Sequence, residues 1–231
     1  DDYTAGFPMH PHRGIETISY VSRGKMVHRD SLGNEAGISD GEVQWMNSGS
    51  GIMHEEMVPA AERLLGVQLW LNLPAKDKMS KPSYNSIKNE DIKEIEIEGG
   101  KIRLLAGKYG EHEGYKGDYL SMDYYDIHLN ADAEVTLTME EDDSVMVFTL
   151  LGDVYIDGEH IEEKTAVKLT EGDSLTIKNG NEKAQVLYMN SRALNEPVAW
   201  AGPIVMNTQE ELQKAFLELR SNTFIKETAE Y

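Results

Sequence analysis

Apolar and polar positions alternate in short runs along most of the chain, and glycine-containing turns separate the runs. Leu64–Leu73 is the clearest case. Leu65, Val67, Leu69, Leu71 and Leu73 share one parity, while Gln68, Trp70 and Asn72 share the other. That two-residue period is the mark of a half-buried strand. Ile15–Ser22 is rich in β-branched and aromatic residues and stops at Arg23-Gly24, and Asp40-Gly41 is a turn signal before the short run Glu42–Met46. Residues 74–94 lose the alternation and gain Pro, Lys and Ser, which predicts a linker. Strand signals resume at Ile95–Ile97 and Lys101–Ala106, then at Glu134–Met139, Val145–Leu151, Val154–Ile156, Ser174–Ile177 and Gln185–Met189. Many short strands at regular spacing predict an antiparallel sandwich or barrel. One segment follows a different period. Thr208 and Glu211 form a Thr-x-x-Glu capping box, and Leu212, Ala215, Phe216 and Leu219 fall at i, i+3, i+4 and i+7. A closing helix over 208–220, packed on the barrel exterior, is expected.

The two halves resemble each other. Ile15–Ser22 meets Gly24, Asp40-Gly41 precedes Glu42–Met46, and Leu64–Leu73 follows. Likewise Val145–Leu151 meets Gly152, Glu171-Gly172-Asp173 precedes Ser174–Ile177, and Gln185–Met189 follows. The pattern predicts an all-β chain built on a duplicated barrel unit. The expected division is 1–94, including the linker, and 95–231, closed by the helix.

Composition narrows the chemistry. The 231 residues carry 22 Lys+Arg against 41 Asp+Glu, a formal charge of −19 at pH 7. Such acidity excludes simple electrostatic binding of nucleic acid or of anionic membrane surfaces. There is no cysteine, so disulfides, thiolate metal sites, iron–sulfur clusters and cysteine nucleophiles are excluded. No run approaches the 18 or so apolar residues of a membrane span. The chain opens on Asp1-Asp2-Tyr3 with no initiator Met and runs almost directly into motif-like sequence, so residues before Asp1 are expected to be missing.

Four residues stand out. His10 and His12 lie in Met9-His-Pro-His-Arg13, and His54 and Glu56 lie in Ile52-Met-His-Glu-Glu-Met57. Each pair is spaced i, i+2, which in extended chain puts both side chains on one face about 6–7 Å apart. Pro11 favours extended geometry at His10. Two such strands side by side would bring three imidazoles and a carboxylate to one point, a donor set that suits Fe, Mn, Ni, Zn or Cu. Four protein ligands leave open positions in an octahedral field, as a catalytic site requires. The same residues also read as two loop histidines near the surface and a polar residue at the turn after Gly49-Ser-Gly51.

Gly6-Phe-Pro-Met-His-Pro-His-Arg-Gly-Ile-Glu-Thr17 resembles the signature of the pirins, a branch of the cupin superfamily. Gln44-Trp-Met46, Gly49-Ser-Gly-Ile-Met-His-Glu-Glu56, Gly66-Val-Gln-Leu-Trp-Leu-Asn-Leu-Pro74 and Gly202-Pro-Ile-Val-Met-Asn-Thr208 resemble further pirin blocks in the same order. The resemblance implies two tandem cupin barrels with one mononuclear metal in the first. It implies His10, His12, His54 and Glu56 as the ligands. Three residues separate Gly6 from His10, where most cupins have five, and Glu56 extends the usual second motif; both departures are pirin-like. A single divalent transition metal is expected. Fe(II) comes first, and Mn, Ni, Cu, Co and Zn are also admitted by the ligands.

Matching Gly152 to Gly24 puts the His10 and His12 positions of the second barrel at Thr138 and Glu140, and matching Gly172 to Gly41 puts that of His54 at Gln185. None is an imidazole, so the second barrel is expected to lack a metal. Glu16 reads either as a partner orienting an imidazole or as a solvent-facing residue. Glu55 has the wrong parity for a ligand. Phe7, Trp45 and Met46 read as pocket lining or core. Arg13 reads as an anion contact or a surface ion pair. His28 and His112 read as ordinary polar positions.

Two functions follow from the resemblance. One is a quercetin 2,3-dioxygenase-type oxidoreductase that opens a flavonol-like ring with dioxygen, with Glu56 as ligand and proton acceptor. The other is a non-enzymatic, metal- and redox-responsive regulatory protein with a protein partner. A cupin could also host a metal-dependent isomerase or hydrolase. The resemblance implies a cytoplasmic location.

Overall fold

The computed structural model describes residues 5–227. The chain divides into two units, one made of 1–89 with 195–231 and the other of 90–194. The outermost residues of the expected ranges, 1–4 and 228–231, lie outside the described residues.

Eight strands build the body of the first unit: β1 (Ala5–His12), β2 (Ile15–Arg23), β3 (Lys25–Asp30), β4 (Glu35–Ser39), β5 (Glu42–Asn47), β6 (Ile52–Val58), β7 (Leu65–Asn72) and β8 (Ser83–Ile87). They form two four-stranded antiparallel sheets, β1-β6-β3-β4 and β7-β2-β5-β8. Val21, Met26 and Ile38 make a small buried apolar cluster that joins β2, β3 and β4. Many of the other buried side chains on these strands are polar, among them Ser19, His28, Gln44, His54 and Glu56.

The second unit contains β9 (Lys93–Ile97), β10 (Gly100–Ala106), β11 (Lys108–Tyr109), β12 (His112–Glu113), β13 (Met122–Leu129), β14 (Glu134–Thr138), β15 (Asp143–Leu151), β16 (Val154–Ile156), β17 (Glu159–Ile161), β18 (Ala166–Lys168), β19 (Ser174–Asn179) and β20 (Ala184–Arg192). Its main sheets run β18-β15-β20-β13-β10-β9 and β14-β19-β16-β17, beside a β11-β12 hairpin. The order β1-β6-β3-β4 recurs as β14-β19-β16-β17, and β5-β2-β7 recurs as β18-β15-β20. The duplicated, all-β, double-cupin architecture is therefore present in the topology, in jelly-roll form.

This correspondence changes one alignment drawn from the turns. Gly172 precedes β19, the counterpart of β6, whereas Gly41 precedes β5. The turn match was one hairpin out, so Gln185 on β20 corresponds to β7 rather than to His54. On the β14–β19 pair, Val135 faces Ile177 and Leu137 faces Leu175. All four are buried in the apolar core. Where the first unit gathers imidazoles, the second is filled with hydrocarbon.

The last segment returns to the first unit, whereas the expected division placed it with 95–231. It contains β21 (Ala199–Ala201), β22 (Ile204–Met206) and α1 (Gln209–Arg220). Both arms of the capping box form: the Thr208 side chain accepts from the Glu211 backbone N–H, and the Glu211 carboxylate accepts from that of Thr208. Leu212 and Ala215 pack with Ala199, Ile204, Met206 and Phe224, with Phe216 and Leu219 partly buried alongside. Arg13 bridges to Ile204 through the backbone. Gly14 has φ +79°, and a Cβ there would stand 2.0 Å from the carbonyl oxygen of Val205. Only glycine permits that approach. Among the described residues no helix is long and apolar enough to cross a membrane.

Candidate metal centre

β1 and β6 pair antiparallel with His10 opposite His54. The i, i+2 spacing then puts His12 on the same side as His10, and one potential ligand atom from each of the three histidines lies within 4.8 Å of the others. The ring orientations are fixed from behind. His10 Nδ1 is 2.8 Å from the Pro8 carbonyl oxygen. His12 Nδ1 is 3.1 Å from the Pro203 carbonyl oxygen. His54 Nδ1 is 3.4 Å from His28 Nδ1.

A carbonyl can only accept, so His10 and His12 donate through Nδ1–H and present Nε2 as a lone pair. His54 Nε2 lies 2.9 Å from His10 Nε2, and His12 Nε2 is buried without a hydrogen-bond partner. Burial, with His10 as the next cause, lowers His12 to a pKa of about 4. Burial, followed by His12, His10 and His28, lowers His54 to about 2. Imidazoles gathered this closely, with the Nε2 lone pairs of His10 and His12 turned inward and that of His12 buried and unpartnered, fit a bound cation.

Glu56 follows His54 by two residues on the inward face of β6 and is buried. Its carboxylate is not part of the 4.8 Å gathering of nitrogens. Glu56 Oε1 accepts from Gln44 Nε2 at 2.8 Å, from Gln68 Nε2 at 3.1 Å and from Ser19 Oγ at 3.4 Å. Among the described residues, Oε2 accepts from Gln68 alone, at 3.1 Å. The same carboxylate reaches the wall of a cleft of about 210 Å³ that is otherwise largely apolar, lined by Phe7, Met26, Val58 and Leu64 with Gln68 beside them. Trp70, 39% exposed, sets its ring edge-on to His12 with centroids 5.2 Å apart. Its indole N–H donates to Gln68 Oε1.

Several functional neighbours escape the sequence reading. Pro203 is distant in sequence, and Gln44 and Gln68 need the sheet pairing to place them. His28, read above as an ordinary polar position, is fully buried and stacks on Tyr84 at 4.2 Å. Its signal was the i, i+2 pair His28 and Asp30, the same spacing that marks the ligands. Arg13 proves structural: its guanidinium donates to the Ser50 and Phe224 carbonyls, pairs with Glu218 at 2.8 Å and lies over the Phe224 ring. Glu16 is buried on the face of β2 opposite Ser19. Glu55 points away and pairs with Arg29. Trp45 lies on the opposite face of β5 from Gln44 and Met46. His112 is exposed on β12.

Family comparison gives the same picture of both units. The model described as Pirin matches residues 1–71. The Pirin C-terminal cupin domain matches residues 124–225. This chain belongs to the pirin family. Human pirin is 36% identical over 226 residues, covering 94% of this chain and 77% of that protein. A Thermoplasma acidophilum protein named "Putative quercetin 2,3-dioxygenase Ta0133" is 36% identical over 246 residues, covering 97% of this chain and 94% of its own length. Among solved structures, quercetin 2,3-dioxygenase from Acinetobacter baumannii superposes with TM-score 0.88 at 32% identity, covering 97% of this chain and 81% of that one. The pirin signature thus extends over both cupin units, while the histidine cluster occurs in the first.

Proposed function

We propose that this pirin-family chain holds one divalent transition metal on His10, His12 and His54, with Glu56 as fourth ligand. We propose further that it catalyses oxidative opening of a flavonol-like ring by dioxygen, in the manner of quercetin 2,3-dioxygenases, in the cytoplasm. The observation that carries the reading is the convergence of three imidazole Nε2 positions, one of them buried and unpartnered. The names borne by its relatives support the reaction class. Fe(II) leads among the ions, and Mn, Ni, Cu, Co and Zn also suit the ligands.

The bound ion would supply Lewis acidity and, if redox-active, the one-electron chemistry that dioxygen needs. The rest falls to the chain. Phe7, Val58 and Leu64 offer apolar walls to a flat aromatic ring. Glu56 accepts the proton of a substrate hydroxyl at Oε2, the oxygen with a single hydrogen bond among the described residues. Gln44 and Gln68 hold the carboxylate in place while it does so. Trp70 packs beside His12 and limits water at the imidazoles.

Metal analysis of the purified protein comes first, and absence of a bound ion would count against the whole reading. Metal-loaded protein mixed with quercetin in air is expected to consume oxygen and bleach the flavonol absorbance. No turnover with Fe, Mn, Ni, Cu or Co overturns the dioxygenase. A redox-dependent complex with a protein partner, abolished by His54→Ala, would then favour the regulatory function.

A further inference from the structure

The three imidazoles are not anchored alike. His10 and His12 each face a backbone carbonyl, which can only accept a hydrogen bond. His54 instead faces the Nδ1 of His28 at 3.4 Å. An imidazole nitrogen can be donor or acceptor, so that contact alone leaves the tautomer of His54 open. The next contact along the line favours one tautomer. His28 Nε2 lies 2.8 Å from Asp30 Oδ2, and both side chains are fully buried.

Asp30 is surrounded by donors. Its Oδ1 accepts the backbone N–H groups of Leu32 at 2.9 Å and Asn34 at 3.1 Å. Asn34 Nδ2 donates to both carboxylate oxygens, at 3.2 and 2.9 Å. Four such donor contacts suit an ionised carboxylate, which can only accept. His28 then donates from Nε2 and, as a neutral imidazole, keeps a lone pair on Nδ1. His54 donates to that lone pair from its own Nδ1, which turns its Nε2 lone pair toward that of His10 at 2.9 Å, a close approach that a cation held between them would stabilise. The His28 ring cannot easily tilt out of this line, because it stacks on Tyr84 with 14° between the planes.

We propose that Asp30 and His28 are positioning residues that lock His54 as the Nδ1–H tautomer, so that its Nε2 presents a lone pair to the metal. The role rests on reading the histidine cluster as a metal site. Carboxylates behind ligating histidines usually act through one imidazole; here the buried negative charge acts through two in series. The relay also makes the three ligands unequal, because only His54 is backed by an anion through its ring. Asp30→Asn would reverse the whole line. The asparagine amide would donate to His28 Nε2, His28 would donate from Nδ1, and His54 would carry its proton on Nε2, where the metal should be.

The test reads the tautomer directly. Long-range ¹H–¹⁵N spectra of the metal-free, histidine-labelled protein at pH 8 should show the His54 proton on Nδ1 in the wild type and on Nε2 in Asp30→Asn. Zinc affinity, measured by competition with a chromophoric chelator, should fall about 10–100-fold in the variant. His28→Phe keeps the stack on Tyr84 but removes the acceptor, and should lower zinc affinity similarly if Asp30→Asn fails to fold. A wild-type His54 protonated on Nε2 overturns the relay without any variant, as does an unchanged tautomer in a folded Asp30→Asn. A wild type that binds no zinc would end the metal-site reading instead, while the tautomer spectra still decide the relay.

Discussion

The Nδ1 atom of His12 lies 3.1 Å from the carbonyl oxygen of Pro203, 191 residues further along the chain. The adjacent Arg13 reinforces that long-range link. Its guanidinium is 2% exposed, pairs with Glu218 at 2.8 Å and donates to the Ser50 and Phe224 carbonyls. The C-terminal segment therefore backs a candidate ligand in the first sheet.

Arg13→Ala should destabilise the protein by about 3–5 kcal/mol, the usual cost of breaking a buried ion pair from one side. Glu218 keeps Lys226 at 3.0 Å, so the lower end of that range is expected. Urea unfolding would measure the loss, and zinc affinity should fall with it as the end of β1 loosens. A change below about 1 kcal/mol would mean that the clamp carries little of the stability.

Gly14→Ala places a methyl group 2.0 Å from the Val205 oxygen, at φ +79°. Strained backbone of this kind costs about 1–3 kcal/mol before any steric displacement is added. A loss of at least about 2 kcal/mol in thermal unfolding is expected, larger than for alanine at the open position Gly158, where nothing lies within 4 Å.

Gln44 and Glu56 form a buried, charge-assisted hydrogen bond of 2.8 Å. Gln44→Leu leaves the carboxylate with fewer donors and should cost about 1.5–3 kcal/mol. Made together with Glu56→Leu, the same change should cost much less, giving a coupling energy of about 1–2 kcal/mol in a double-mutant cycle. Additive effects would show that Gln44 supports the sheet and not the carboxylate.

Acid should weaken the metal-free protein in a defined window. His12, at about 4, and His54, at about 2, have folded values below the ordinary 6.5. The unfolded chain thus takes up protons first as the pH falls. Their contribution is fully present above about pH 6.5 and is lost through His12's value toward that of His54. The loss between pH 6.5 and 4 is on the order of 3 kcal/mol per imidazole. Urea midpoints from pH 7.5 down to 4.5 would reveal it, and zinc should shift the onset of the loss to lower pH because a bound ion competes with the protons.

The parts of the molecule legible in sequence are those set by local rules. The closing helix was readable because Thr208, Glu211 and the Leu212–Leu219 spacing act within a few residues. His10, His12 and His54 were readable because the two-residue period of a strand fixes their faces. What escaped depends on partners brought in by pairing. His28 and Asp30 carry the two-residue spacing of the candidate ligands, but they matter because β3 lies beside β6, and that pairing is not local. Gln68 and Trp70 look like the wet side of a half-buried strand, yet Gln68 lines the cleft and Trp70 packs against His12. In sequence Arg13 reads as an anion contact or a surface ion pair because its partners, Glu218 and Phe224, lie some 200 residues away. The turn at Gly172 misled because one Asp/Glu-Gly turn looks like the next until strand order assigns it.

The contact between His12 and Pro203 also bears on biosynthesis. A ribosome delivers His10, His12 and His54 well before the Pro203 carbonyl that orients His12, which lies 191 residues beyond it. A nascent first sheet would thus hold one imidazole unaligned, and on the proposed metal reading full-strength capture of an ion would wait until Pro203 folds back against His12. Such timing would keep the growing polypeptide from seizing whichever metal is most abundant at the exit tunnel.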